Sequence, residues 1–218
     1  MSSTQSVEHH AVSTASRTSP REAWTGIAFP VLFLASVAVS NPPADNASNA
    51  KWIANYTGSS EQARHLATGV LLVLAGLCLA SFLTALWRRI RDITPSISPL
   101  PLVASAASAS CIAAGGVVMA FVSGGELFGK YPLPSADVLR LSNDLGFALV
   151  AVAGMLAAAL AVVCLSVQGN AAGVFGRRTR IFGIVVSVVL LAGVAFAPVF
   201  ALLIWTTLMA IRLLRRPN

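Results

Sequence analysis

The stretch LGFALVAVAGMLAAALAVVCLSVQGNAAGVFG, residues 145–176, contains no charged side chain. Asp144 precedes it, and Arg177, Arg178 and Arg180 follow. An uncharged apolar run longer than about 18 residues reads as a helix that crosses a bilayer. A soluble domain of this size carries about 25% charged residues to cover its surface. Here 11% of the 218 residues are charged and 56% are hydrophobic.

The same reading extends outward in both directions. Further apolar runs cover Trp24–Ser40, His65–Trp87, Leu100–Ser123 and Ile181–Ile211. Between Arg91 and Glu126 the only charge is Asp92. The fold class is therefore all-α, a polytopic transmembrane helical bundle with spans at about 24–40, 65–87, 100–123, 144–167, 180–194 and 198–213. Residues 22–216 form this bundle. Residues 1–21 are rich in Ser and Thr without apolar periodicity and read as a disordered cytoplasmic tail. The first run also has the basic lead, short core and small residues (Ala38, Ser40) of a signal peptide. Its long polar lead, and Trp24 at the place of an interfacial anchor, favour a retained span.

The last run decides between six spans and five. As one helix, Ile181–Ile211 would be about 46 Å long, well beyond a hydrocarbon core of about 30 Å. It would also place Arg212, Arg215 and Arg216 on the wrong side for the charge rule. A hairpin turning near Gly193 to Pro198 avoids both, with arms of about 14–16 residues. The alternative is five spans, the last a long helix kinked at Pro198.

The net charge of +7 would suggest nucleic acid in a soluble protein. In this chain the cations cluster at the ends of apolar runs, as cytoplasmic anchors do, and no aromatic residues interleave with them to stack bases. Nucleic acid is thus not an expected partner. The expected location is the cell (inner) membrane, with both termini cytoplasmic. Loops 41–64 and 124–143 lie outside with four cations, Lys51, Arg64, Lys130 and Arg140. The tail, 88–99 and 169–180 lie inside, and the inside segments together carry eleven Lys or Arg. In the outer loop, Asn49 to Tyr56 predicts a short interfacial helix with Trp52 and Tyr56 on one face as surface anchors. That loop also holds N-x-S/T sequons at Asn46 and Asn55. The linker DITPSISPLP, with three prolines, cannot be helical throughout.

Packing is also legible. The run SAASASCIAAGG, Ser105–Gly116, lets neighbouring backbones approach closely and predicts a helix at the centre of the bundle. Gly69, Gly76, Gly146 and Gly154 mark contact faces of the same kind.

Chemistry is sparse. No span carries an ionisable residue at mid-depth, where carriers and membrane enzymes usually place one. The nearest are His65, Glu126 and Asp144, all expected near the outer surface. His65 reads as a headgroup-level residue. Ser142, Asn143 and Asp144 read as the cap of a helix N-terminus. The functional alternative is that His65, Glu126 and Asp144 line an outward polar pocket. Cys78, Cys111 and Cys164 lie in apolar runs as packing residues and form no C-x-x-C pair. His9 and His10 read as solvated. No span interior offers a haem ligand, and H-E-x-x-H, G-x-S-x-G, Walker A and G-x-G-x-x-G motifs do not occur. No cofactor and no metal are expected.

The order of features carries a resemblance. Gly26 to Phe33 reads G-x-x-F-P-x-x-F, and the outer loop reads P-P-A-D-x-A-S…Y. The second span ends in L-W-R-R, Asp144 to Leu149 reads D-L-G-F-A-L, and the C-terminus reads L-L-I-W-T-T-L…R-L-L-R-R. Over most of residues 22–216 this resembles a family of small integral membrane proteins of high-GC bacteria that share a domain of unknown function. The resemblance implies six helices with both ends cytoplasmic, and it brings no activity, substrate or cofactor.

Three functional classes follow. The first is a non-enzymatic helical bundle whose partners are the lipid bilayer and another membrane protein or a second copy. The second is a small transporter or a lipid- or small-molecule-binding protein, with its site among the outer ends of spans two to four. The third is a membrane-bound enzyme.

Overall fold

The computed structural model describes residues 20–44, 46–127, 129, 132–192 and 198–215, with only the backbone at 20, 126 and 127. Every regular element among them is helical. These are α1 (Pro20–Val39), α2 (Asn49–Thr57), α3 (Ser59–Ile93), α4 (Leu100–Leu127), α5 (Ala136–Ala148), α6 (Met155–Ala171), α7 (Arg177–Leu191) and α8 (Val199–Arg215). A π-helical turn, Leu149–Gly154, joins α5 to α6 in one continuous rod. Four helices are long and apolar enough to cross a membrane: Arg21–Val39, Ser59–Ile93, Leu100–Gly125 and Ala136–Ala171.

The helices overrun the apolar runs. α3 starts at Ser59, six residues before His65, and continues to Ile93. At 35 residues it is about 52 Å long and must project beyond a core of about 30 Å. α5 begins at Ala136, with Ser135 in the N-cap position. Asp144 therefore lies inside a helix, and the expected cap at residues 142–144 is corrected. The apolar run marks the part of the helix suited to hydrocarbon, and the helix continues through the polar turns beyond it.

Glycine sets the closest approaches. A Cβ on Gly69 would lie 2.7 Å from the Gly116 carbonyl oxygen, and one on Gly76 would lie 2.7 Å from that of Ala109. On the other side of α4, a Cβ on Gly115 would lie 2.7 Å from the Gly146 oxygen. Consecutive glycines 115 and 116 thus let α4 touch α5 and α3 at once, as small residues do between membrane helices. Gly154 packs on Ile112. α3 supplies Leu79, Phe82, Leu83, Leu86 and Ile90 to the core beside Phe29, Phe33, Met155 and Trp205. α1 closes on this core through Gly26, where a Cβ would meet the Phe82 ring at 2.6 Å and Ala210 at 2.9 Å. A π turn interrupts the regular i→i−4 ladder. Ser108 ties its end to α4, its Oγ donating to the Gly154 oxygen at 2.8 Å.

The last apolar run folds back on itself. Arg212, near the end of α8, donates to the Thr179 hydroxyl near the start of α7. In a single straight helix these residues would be about 50 Å apart. The arms have 15 and 17 residues. The expectation of a turn near Gly193 to Pro198 falls for the most part on 193–197, outside the described residues.

This fold-back gathers the arginines. The start of α1 shares a cavity with the end of α3 (Arg21, Thr25, Ser81, Arg88), and the end of α3 shares another with α7 and α8 (Arg89, Thr179, Arg212). Arg21, Arg88, Arg89, Arg91, Arg177, Arg178, Arg180, Arg212 and Arg215 therefore occupy one end of the bundle, accompanied by Glu22 and Asp92. At the opposite end the described cations are Lys51, Arg64 and Arg140, with Glu61, Asp137 and Asp144.

Candidate functional site

The arginine-poor end carries a polar cap built around α2. Ser48 starts the helix, its Oγ accepting from the Lys51 N–H at 3.3 Å. The 3.6-residue period puts Trp52 and Tyr56 on one face. Both are buried, packing with Ala136 and Leu139 of α5 and with Val122 of α4. The expected short helix and shared face are present, but the aromatics anchor α2 to the bundle instead of to lipid. Burial without a charged partner pushes the Tyr56 phenol up to about 12.

His65 belongs to this cap and not to an exposed headgroup layer. Its ring stacks on Tyr56 at 4.1 Å and 6°. Its Nε2 lies 2.9 Å from Asn55 Oδ1 and 3.3 Å from the Asn55 carbonyl oxygen. Both are acceptors, so Nε2 carries the proton and donates. The Asn55 amide in turn donates to the Asn41 carbonyl at 3.1 Å. This relay ties α3 to α2 and to the loop after α1. It also occupies the side-chain nitrogen of the second sequon. Gln62 adds a bond to the Tyr56 carbonyl at 3.0 Å.

Arg140 performs the same task from α5. It donates to Asn49 Oδ1 at 2.8 Å, to the Ala47 carbonyl at 2.8 Å and to Asp137 at 3.1 Å. Its guanidinium lies over the Trp52 ring, 5.6 Å from the centroid. No sequence signal singled out Arg140, because its partners lie more than 90 positions away at Ala47 and Asn49.

The three residues expected to share a pocket are separated in role. His65 faces α2. Asp144 is exposed on α5, its Oδ1 3.5 Å from the Asn143 amide. Glu126 lies in the last turn of α4, and its side chain is outside the described residues. The cavity at this end is lined by other groups. It has a volume of about 290 Å³ and lies between α1, α3, α4 and α5, walled by Phe33, Ser36, Thr68, Met119, Asn143 and Phe147. Thr68 is 4% exposed, and its Oγ1 has no hydrogen-bond partner among the described residues. Among the described residues no three His, Cys, Asp or Glu side chains converge as a metal site would require.

No family model, curated protein or solved structure matches the chain.

Proposed function

We propose that the chain is a six-span protein of the cell (inner) membrane with both termini in the cytoplasm, and that it works by binding another membrane component instead of turning over a substrate. The charge distribution supports the topology. Nine described arginines sit at one end against three cations at the other, and Lys and Arg are retained on the cytoplasmic side. α7 and α8, at 15 and 17 residues, are about 22 and 26 Å long and act as two short spans. Their flanking arginines snorkel to the interface, and the bilayer thins locally. The order of helices also fits the small membrane proteins of high-GC bacteria that the sequence resembles.

The observation that carries the binding reading is how the arginine-poor end uses its polar groups. His65, Asn55, Gln62 and Arg140 are all engaged in fastening α2 to the bundle. They serve as structure, and the lipid-facing surface is left as the working face. Its partner is another membrane protein or a second copy of the chain. The cavity lined by Thr68 and Asn143 favours a second reading, a lipid- or small-molecule-binding protein or a small transporter with its site at the outer helix ends.

Native mass spectrometry of the chain extracted in mild detergent separates these. A second polypeptide or a second copy at fixed stoichiometry supports the first reading. A retained small ligand displaced by a bulky Thr68→Leu substitution transfers support to the second. The topology is tested by single cysteines at Ser59 and Ser96 in a Cys-free background. An impermeant thiol reagent should label Ser59→Cys in intact cells and spare Ser96→Cys, and the reverse pattern overturns the orientation.

A further inference from the structure

The arginine-rich end contains a cavity of about 220 Å³ enclosed by parts of the chain distant in sequence. Arg89 reaches it from α3, Gly176 and Thr179 from the start of α7, and Met209 and Arg212 from α8, with Phe175 completing the wall. Among the described residues no carboxylate lines it. The ion pairs among the described residues, Arg64–Glu61 and Arg140–Asp137, are both at the other end of the bundle. Two neighbouring cations are engaged elsewhere. Arg91 lies over the Trp87 ring, and Arg180 donates to Asn170 at 3.2 Å. The half-buried Arg89 and the exposed Arg212 share the cavity, neither with a counter-ion among the described residues, and Arg212 is oriented by its bond to the Thr179 hydroxyl.

We infer that this cavity binds a phosphate group, and that its physiological source is the headgroup of an anionic phospholipid. Two guanidinium groups brought together in a partly apolar cavity repel each other, and a phosphate between them turns that repulsion into charge-assisted hydrogen bonds. With its oxygen accepting from Arg212, the Thr179 hydroxyl keeps its own proton free to donate. The N–H groups of Arg177 and Arg178 open α7 next to the lining residue Gly176 and, at a helix N-terminus, add partial positive charge there, while those of Thr179 and Arg180 donate to the Gly176 carbonyl. The size fits a headgroup, since pockets for whole small molecules run at about 300–1,000 Å³. The mixed wall also fits, because arginines would meet the phosphate while Phe175 and Met209 meet the glycerol and the start of the acyl chains. Basic pockets between membrane helices at the cytoplasmic face take anionic headgroups by this chemistry. The choice of a lipid source rests on the proposed membrane topology, whereas the phosphate site itself does not depend on which end faces the cytoplasm.

The test uses the full chain in a neutral detergent, with lipid binding followed by native mass spectrometry and by melting temperature. Phosphatidylglycerol should bind and raise the melting temperature, and phosphatidylcholine, whose phosphate is internally compensated, should do so far less. Arg89→Gln and Arg212→Gln should each weaken phosphatidylglycerol binding about tenfold. Arg178→Gln, at the same end but not lining the cavity, should leave it unchanged. Melting without lipid checks that each variant is folded, and Arg89→Lys tests the site if Arg89→Gln is not. Equal weakening by Arg178→Gln would reduce the effect to general surface charge and overturn the site. Inorganic phosphate protecting as well as phosphatidylglycerol, with the same dependence on Arg89 and Arg212, would overturn the lipid source. If cysteine labelling reverses the membrane orientation while these results hold, the topology fails and the phosphate site stands.

Discussion

Gly69→Ala, compared with Gly124→Ala, tests whether glycine contacts hold α3 and α4 together. A Cβ at Gly69 would sit 2.7 Å from the Gly116 carbonyl oxygen and 2.5 Å from the Ala120 Cβ. Both obstacles are backbone or next to it, so no side-chain rotation relieves them. Restoring an ordinary contact of about 3.4 Å requires the helices to part by roughly 0.7 Å, and a gap of that size forfeits a quarter to a half of each dispersion contact along the seam. Overpacking of this kind costs about 1–3 kcal/mol. At Gly124 the only obstacle is the tip of Leu66, 3.4 Å away, which is flexible. Both exchanges gain the same helix propensity of Ala over Gly, about 0.5–1 kcal/mol. The difference between the two variants therefore isolates the steric cost. Melting of both in one detergent should put Gly69→Ala several degrees below Gly124→Ala, at roughly 2–4 °C per kcal/mol for a chain of this size. The double variant Gly69→Ala/Gly116→Ala should cost less than the sum of its parts, because the first Cβ has already parted the helices. If Gly69→Ala and Gly124→Ala melt together, the close approach is not what holds this interface.

Arg140→Ala should free α2 at a cost of about 1–3 kcal/mol, seen as faster hydrogen exchange and proteolysis within 46–57 while the bundle keeps its melting temperature. Asp144→Ala, at an exposed mid-helix position, should change stability by no more than about 0.5 kcal/mol, and a loss of about 0.5–2 kcal/mol would restore the capping role. Ser108→Ala removes the bond from α4 to the Gly154 carbonyl and should lower stability by about 0.5–1.5 kcal/mol, with Ser108→Thr recovering part of it. In a Tyr131→Phe background, ultraviolet titration should show the Tyr56 phenolate forming near pH 12 and not near 10. Because the folded value is the higher one, this group's contribution to stability is complete below pH 10 and is lost as pH rises through about 12. Ionisation at the ordinary value would mean that α2 is not docked.

The polar cap around α2 shows where legibility stopped. Asn49 to Tyr56 announced a helix with two aromatics on one face, since local periodicity fixes which side chains share a face. Whether that face met lipid or protein depended on Ala136 and Leu139, some 80 residues away, and no local pattern encodes such a meeting. The grouping of His65, Glu126 and Asp144 rested on shared depth alone. Depth is a coordinate along the bundle axis. Rotation about each helix decides what meets, and it gives His65 to Asn55 and leaves Asp144 exposed.

By itself the sequence determined the all-helical class, apolar runs long enough to cross a membrane, the clustering of arginines and the small-residue faces. Each follows from the short-range demands of hydrocarbon on a chain: uncharged length, internally bonded backbone and side chains small enough for close approach. Only the tertiary structure decided the rest. The antiparallel fold of α7 and α8 rests on Thr179 meeting Arg212. Ser108 of α4 meets the carbonyl at the end of the π turn. The two-arginine cavity exists because α3, α7 and α8 end at the same level. All three depend on contacts between residues at least 30 positions apart, whose geometry is set by packing the whole bundle at once and not by any window of sequence.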